Sequence, residues 1–148
     1  MYSAWSAALI NGIALAVALA IGIVVQLANS STPDPLPVAF IVGSFVVTAL
    51  VAGILVVLTV RGGLLLARCG QLPLRSALVI AAVNVVVLGF LGTAPVETYV
   101  IKLNMPAPQG SHVEVPLLFW LLILAGILLP IFVAYVVGRI AKGRASAA

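Results

Sequence analysis

The chain is poor in charged residues. Only 7% of its 148 residues are charged, whereas a typical soluble domain has about 25%. In addition, 64% of the residues are hydrophobic and the mean hydropathy is +1.35. A chain with so few polar groups cannot cover the surface of a soluble fold. The composition therefore excludes a soluble domain and predicts an integral membrane protein.

No aspartate, glutamate, histidine, lysine or arginine lies inside any of four long apolar stretches. Proton-coupled transporters and rotary-ring subunits need a carboxylate within the membrane, and haem-binding bundles need histidine ligands. This absence excludes those classes of protein. We expect no catalytic residue, no metal site and no cofactor.

Cysteine and metal-ligating residues are equally scarce. Cys69 is the single cysteine, so it cannot form an internal disulfide, and it falls in a connection predicted to be cytoplasmic, where thiols stay reduced. His112 and Glu114, even with Glu97, offer too few ligands for zinc, and we expect a solvated loop there. The net charge of +4 comes from cytoplasmic arginines, so we expect no nucleic-acid partner.

Four continuous apolar stretches dominate the chain. They cover about 4–27, 38–60, 76–94 and 115–137, close to the length of about 20 residues that a helix needs to cross a bilayer. Continuous rather than alternating apolarity favours helices over the strands of a barrel. The sequence therefore predicts an all-α integral membrane bundle of four transmembrane helices. We expect one membrane domain over residues 1–148 and no soluble domain.

The charges sort by sign between the gaps in this pattern. The second gap and the C-terminal tail hold six basic residues: Arg61, Arg68, Arg75, Arg139, Lys142 and Arg144. The first and third gaps hold the remaining charged residues and the histidine: Asp34, Glu97, Lys102, His112 and Glu114. Basic residues collect on the cytoplasmic side of membrane proteins. The alternation therefore predicts that both termini are cytoplasmic.

Small residues recur along the first span. Every fourth residue from position 4 to position 20 is alanine or glycine, while bulky residues such as Ile13 occupy the remaining arc. Membrane helices associate where small side chains let backbones approach, so we expect the small arc to face protein and the bulky arc lipid. Packing within the bundle and contact with another chain both remain open. In the second case we expect other membrane subunits, or a second copy, to bind through Gly12, Ala16 and Ala20.

Four polar residues inside the spans are candidate intramembrane polar positions: Asn11, Ser44, Thr48 and Asn84. Interhelical hydrogen bonds in membranes contribute about 0.6 kcal/mol on average. We expect Asn84 to bond to Ser44, to Thr48 or to a backbone carbonyl of a neighbouring span. The alternative is that all four residues line the path of a solute.

Two connections carry further predictions. Three prolines in five residues, at positions 33, 35 and 37, are expected to exclude helix from the first connection. In the second connection Leu64, Leu65, Leu66 and Leu72 lie among arginines, which favours a segment at the cytoplasmic interface. We expect no specific role for the third connection, about 95–114.

The small-residue arc, the lack of embedded ionisable groups and the minimal polar surface favour a non-enzymatic function. We expect a small accessory subunit or scaffold that packs against other membrane helices. We expect the inner membrane of a bacterium as its location. The alternative is a small oligomeric transporter or channel for a neutral or lipophilic solute. A membrane enzyme comes third, because its catalytic groups would have to come from the third connection or from a partner.

Overall fold

The structure is a computed structural model; it describes residues 1–29, 35–93 and 117–148 and is nearly all helical. Its helices are α1 (Ala4–Asn29), α2 (Pro35–Leu66), α3 (Leu74–Thr93) and α4 (Leu117–Ala147). Its strands are β1 (Tyr2–Ser3) and β2 (Gln71–Leu72). The predicted all-helical fold, with one helix for each apolar stretch, is confirmed.

The helices pack side by side, each against two neighbours, in the ring order α1, α2, α4, α3. α1 and α2 run antiparallel, since Gly12 lies beside Gly53 while Trp5, nearer the start of α1, lies beside Arg61. α3 therefore packs against α1 and α4, and α2 lies diagonally across the ring from it. This order decides which polar side chains can meet in the core.

The same arrangement brings the N-terminus, the α2–α3 connection and the last turns of α4 together. Gly63, near the end of α2, lies against Ala134 of α4, and Arg75 and Arg144 line one cavity. The six basic residues that the charge pattern groups together all lie at this end: Arg61, Arg68, Arg75, Arg139, Lys142 and Arg144. We term it the basic end.

Three of the helices are long and apolar enough to cross a membrane, over the segments Ala4–Val25, Val42–Leu66 and Trp120–Ala147. The apolar part of α3 over Leu74–Gly89 is shorter. Large apolar side chains cover the outside of the helices, and Ile13, Phe40 and Val86 are 63%, 78% and 65% exposed. So large an apolar surface requires lipid or another protein around it. The structure therefore indicates a membrane protein.

One prediction about the connections is wrong. α2 begins at Pro35 and includes Pro37, although the prolines were expected to exclude helix. Proline is accommodated in a first helical turn because the N–H groups there have no carbonyl partner within the helix. At its other end α2 continues through Arg61 to Leu66. Leu64 is fully buried, whereas Leu65 and Leu66 are exposed, and the location of this segment at the cytoplasmic interface stays a prediction.

α2 ends in a Schellman motif, which turns the chain back towards the bundle. The N–H of Cys69 donates to the carbonyl of Leu64 at 3.0 Å, and that of Arg68 donates to Leu65 at 2.9 Å. Arg68 has a φ of 52°, in the left-handed region that glycine usually occupies at this position. The turn delivers Leu72 into the core, where it is fully buried.

The N-terminus is tied to this turn by backbone hydrogen bonds. β1 pairs with β2 in antiparallel register, and the N–H of Ala4 donates to the carbonyl of Gly70 at 3.1 Å. Ser3 caps α1, because its Oγ accepts from the N–H of Ser6 at 3.2 Å. The start of α1 is therefore fixed against the end of α2.

The face prediction for α1 is confirmed for the part of the helix from Ala4 to Ala16. Ala7 and Ala8 are fully buried, whereas Ile13 and Val17 are 63% and 52% exposed. The buried arc contacts α2 on one side and α3 on the other. Ala20, at the far end of the small arc, is exposed. Much of the small-residue surface of α1 is therefore used within the chain.

Candidate functional site

α1 and α3 bring two of the predicted polar positions together in the core. Asn11 and Asn84 are each 1% exposed, and Asn84 Nδ2 donates to Asn11 Oδ1 at 3.5 Å. Asn11 Nδ2 donates to the carbonyl oxygens of Ala7 at 2.9 Å and Ala77 at 3.4 Å. Asn11 therefore joins α1 to α3 through both polar atoms of its side chain. We term these two residues the asparagine pair.

One atom of the asparagine pair has no partner among the described residues. Asn84 Oδ1 is buried and accepts no hydrogen bond. An unsatisfied buried polar atom costs about 1–3 kcal/mol. The bond from Asn84 Nδ2 is also long, at 3.5 Å. Asn84 is therefore held more weakly than Asn11.

Ser44 and Thr48 are not part of this cluster. Both lie on the exposed side of α2, and Thr48 Oγ1 donates to the carbonyl of Ser44 at 2.8 Å. Thr48 lies more than one helical turn further from the basic end than Gly53, the α2 residue beside Gly12. The expectation that Asn84 bonds to Ser44 or Thr48 is wrong. Its partner is on α1, because the ring order places α3 beside α1 and not beside α2.

A cavity of about 220 Å³, which we term the inner cavity, lies one helical turn from the asparagine pair. Leu15 and Leu88 line it, each four residues beyond a member of the pair, together with residues of α2 and α4. Thr59 is the one polar side chain among its described lining residues, and its hydroxyl already donates to the Leu55 carbonyl at 2.9 Å. The inner cavity therefore has almost entirely apolar walls.

α1 and α2 touch through their backbones at Gly12 and Gly53. A Cβ added at Gly12 would lie 2.5 Å from Val57 Cγ2 and 2.9 Å from the Gly53 carbonyl oxygen, so the contact requires glycine. Beside it an apolar groove of about 510 Å³ opens to the outside, and Ala16 and Ala49 also line it. We term it the α1–α2 groove. Gly12 thus has a neighbour within the chain, while the groove beside it is open.

A second glycine contact, between α2 and α4, was not predicted from the sequence. A Cβ at Gly63 would clash with the Ile131 carbonyl oxygen and would lie 2.7 Å from Ala134 Cβ and 3.1 Å from Tyr135 N. A Cβ added at the neighbouring Gly62 would meet nothing within 4 Å. The two adjacent glycines therefore have opposite environments. They differ only in direction: the position that a Cβ would occupy points towards α4 at Gly63 and away from it at Gly62.

The basic end presents positive charge in a fixed arrangement. The Arg61 guanidinium stacks over the Trp5 ring, 3.8 Å from its centroid, which is a cation–π contact. Lys142 Nζ donates to the Arg68 carbonyl at 3.5 Å. The three acidic residues of the chain all lie outside the described ranges. Within those ranges, the positive charge of the basic end is not neutralised by any carboxylate side chain.

Cys69 lies in the turn after α2 and is 8% exposed, and its Sγ–H donates to the carbonyl of Gln71 at 3.1 Å. Over residues 1–29, 35–93 and 117–148, no three histidine, cysteine, aspartate or glutamate side chains come together. His112, Glu114 and Glu97, the remaining candidates for metal ligation, fall outside the described residues.

The features available to a function are thus the asparagine pair, the inner cavity, the α1–α2 groove and the basic end. No protein-family model, no curated protein and no solved structure matches this chain.

Proposed function

We propose that this protein is a small accessory subunit or scaffold of the cell membrane that packs against a transmembrane helix of another protein. The observation that carries the proposal is the α1–α2 groove, which Gly12, Ala16, Ala49 and Gly53 line. In lipid, helices associate where small residues allow close approach of their backbones. Gly12 and Gly53 are already in contact with each other, so Ala16 and Ala49 offer the small surface for a partner. Ala20, exposed one turn further along α1, extends it.

The proposal places all four helices across the inner membrane of a bacterium, with both termini in the cytoplasm. α3 has 20 residues, which matches the length of about 20 that a spanning helix needs. The gathering of six basic residues at one end supports a cytoplasmic basic end, since basic residues are enriched on that side.

Photo-crosslinking in the native membrane tests the proposal. A crosslinkable residue at Ile54, which lines the groove and is 59% exposed, is expected to give a protein adduct of discrete mass. The control is Val86, which is 65% exposed on α3 outside the groove and is expected to contact lipid. Ala49→Trp fills the groove and should abolish the adduct. Val47→Trp, on an exposed side of α2 outside the groove, should leave it intact.

The identity of the adduct then decides between functions. A different membrane protein, identified by mass spectrometry at Ile54 and absent from the Ala49→Trp variant, supports an accessory subunit. An adduct that survives Ala49→Trp, or that is equally strong at Val86, contradicts a specific groove. A second copy of this chain as the sole partner favours the alternative function.

That alternative is a small oligomeric transporter or channel for a neutral or lipophilic solute. Asn84 Oδ1, which has no partner among the described residues and lies one turn from the inner cavity, favours it, because a solute that passes between the helices would find an acceptor there. Flux measured after reconstitution discriminates the two. Wild-type protein that moves a solute, with a well-folded Asn84→Leu variant that does not, would establish the transporter. Under the subunit proposal neither protein moves solute.

A further inference from the structure

A cavity between α3 and α4 at the basic end combines two arginines with apolar walls; we term it the α3–α4 cavity. Its volume is about 340 Å³, and ligand pockets usually measure about 300–1,000 Å³. Arg75 on α3 and Arg144 on α4 line it. Val79 lies one turn deeper on α3, and Val137 and Ile140 lie deeper on α4. The cavity is therefore cationic at the end of the bundle and apolar towards its middle.

The two arginines determine the electrostatics of the α3–α4 cavity. It meets the first turn of α3, whose dipole favours an anion, and the last turn of α4, whose dipole has the opposite sign. The helix dipoles therefore offset each other. No carboxylate lies among the described lining residues. The planar guanidinium groups of Arg75 and Arg144 suit the paired oxygens of a phosphate, and Ser76 adds a hydroxyl beside them.

We propose that the α3–α4 cavity binds an anionic phospholipid. The phosphate of the lipid lies between Arg75 and Arg144, and the first part of one acyl chain lies along Val79, Val137 and Ile140. This goes beyond the proposed function, because it needs the basic end at the membrane surface but no protein partner. A zwitterionic lipid would bring its own cationic group towards the arginines and would therefore bind less tightly than an anionic lipid. Free phosphate would use the arginines and gain nothing from the apolar wall.

Native mass spectrometry of the full chain tests the charge requirement. The protein, in a neutral detergent, is mixed with equal amounts of phosphatidylglycerol and phosphatidylcholine that carry the same acyl chains. We expect phosphatidylglycerol adducts to dominate. Arg75→Gln with Arg144→Gln should lower them about 30-fold, since each basic residue near an anionic headgroup contributes a factor of about five. Arg68→Gln with Arg139→Gln removes the same charge from the same end outside the cavity, and should retain the adducts.

A second pair of variants tests the apolar wall with all charges in place. Val79→Trp fills the cavity, whereas Leu78→Trp places the same side chain at an adjacent exposed position outside it. Val79→Trp should lose phosphatidylglycerol and Leu78→Trp should retain it. This pair decides whether the cavity is the lipid site if the double arginine variants fail to fold. Circular dichroism would reveal such a failure as a loss of helical signal.

Four outcomes would overturn the proposal. Equal binding of the two lipids by wild type excludes selectivity for an anionic headgroup. Equal losses in the two double arginine variants, or retention in Val79→Trp, indicate diffuse attraction to the basic end rather than a site. Competition by glycerol phosphate as strong as that by phosphatidylglycerol identifies a soluble phosphate as the ligand instead. None of these outcomes depends on whether a partner helix occupies the α1–α2 groove.

Discussion

The two ends of the bundle are held together differently. At the basic end the Schellman motif, the short sheet and the glycine contact at Gly63 surround fully buried residues such as Leu64 and Leu72. Towards the opposite end, most described side chains of α2 between positions 39 and 50 are exposed. Phe40 is 78% and Leu50 is 61% exposed.

This difference follows from what stabilises helices in lipid. Apolar burial gains little there, because lipid chains are as apolar as leucine, so helix association depends on close packing and hydrogen bonds. The half of the bundle at the basic end has close packing at Gly12 and Gly63, and it has hydrogen bonds in the turn after α2. The exposed half of α2 has few such contacts and presents its apolar surface to lipid or to a partner. We therefore expect stability to depend on the basic end.

The largest effect is expected at Gly63. Gly63→Ile would drive a branched side chain into the backbone of α4 and should lower the free energy of unfolding by about 3 kcal/mol or more, at or above the upper end of the usual range for overpacking. Gly62→Ile, with nothing within 4 Å, should change it by less than about 0.5 kcal/mol. Unfolding in detergent, followed by circular dichroism, measures both. Equal effects at the two positions would contradict the packing assigned to α2 and α4.

Gly12→Ile should have the next largest effect, a loss of about 2–3 kcal/mol, because the side chain would separate α1 from α2. The nearest group is the Val57 side chain, which can move more easily than the backbone atoms opposite Gly63. Ile13→Ala is the control, since Ile13 is 63% exposed and should tolerate truncation. If both variants are equally silent or equally harmful in a thermal-stability assay, the faces of α1 are assigned incorrectly.

The asparagine pair should respond asymmetrically. Asn11→Leu removes three hydrogen bonds and leaves both polar atoms of Asn84 buried without partners, so we expect a loss of about 2 kcal/mol. Asn84→Leu removes one long bond together with an unsatisfied oxygen and should cost about 1 kcal/mol or less. Neither loss should depend on pH, because asparagine does not titrate. Unfolding of the two single variants and the double variant measures the coupling; a larger loss for Asn84→Leu would refute this arrangement.

The smallest effect is a gain. Arg68→Gly should raise the free energy of unfolding by up to about 1 kcal/mol, because glycine adopts the left-handed φ of 52° without steric cost. Arg68→Ala removes the same charge and keeps the strained backbone, so it should give no gain. The difference in thermal unfolding between the two variants measures the cost of the left-handed backbone at position 68. If the two variants are equally stable, the turn is not strained.

The sequence predicted the features that depend on local pattern. Continuous apolar runs gave the helices, and the four-residue spacing of small residues gave the buried face of α1. The partner of Asn84 was not predictable, because it depends on the ring order of the helices, which no local pattern encodes. Gly62 and Gly63 are likewise indistinguishable until α4 is in place. The burial of Leu72 was not predictable, because the turn that delivers it into the core has Arg68 where glycine would be the usual signal.

We propose that this chain crosses the membrane four times with its basic end in the cytoplasm. Reporter fusions along the chain test it most directly. Fusions after residues 69 and 146 should report a cytoplasmic position, and fusions after residues 32 and 106 should report the opposite side. A cytoplasmic signal from the fusion after residue 106 would contradict the four-span account.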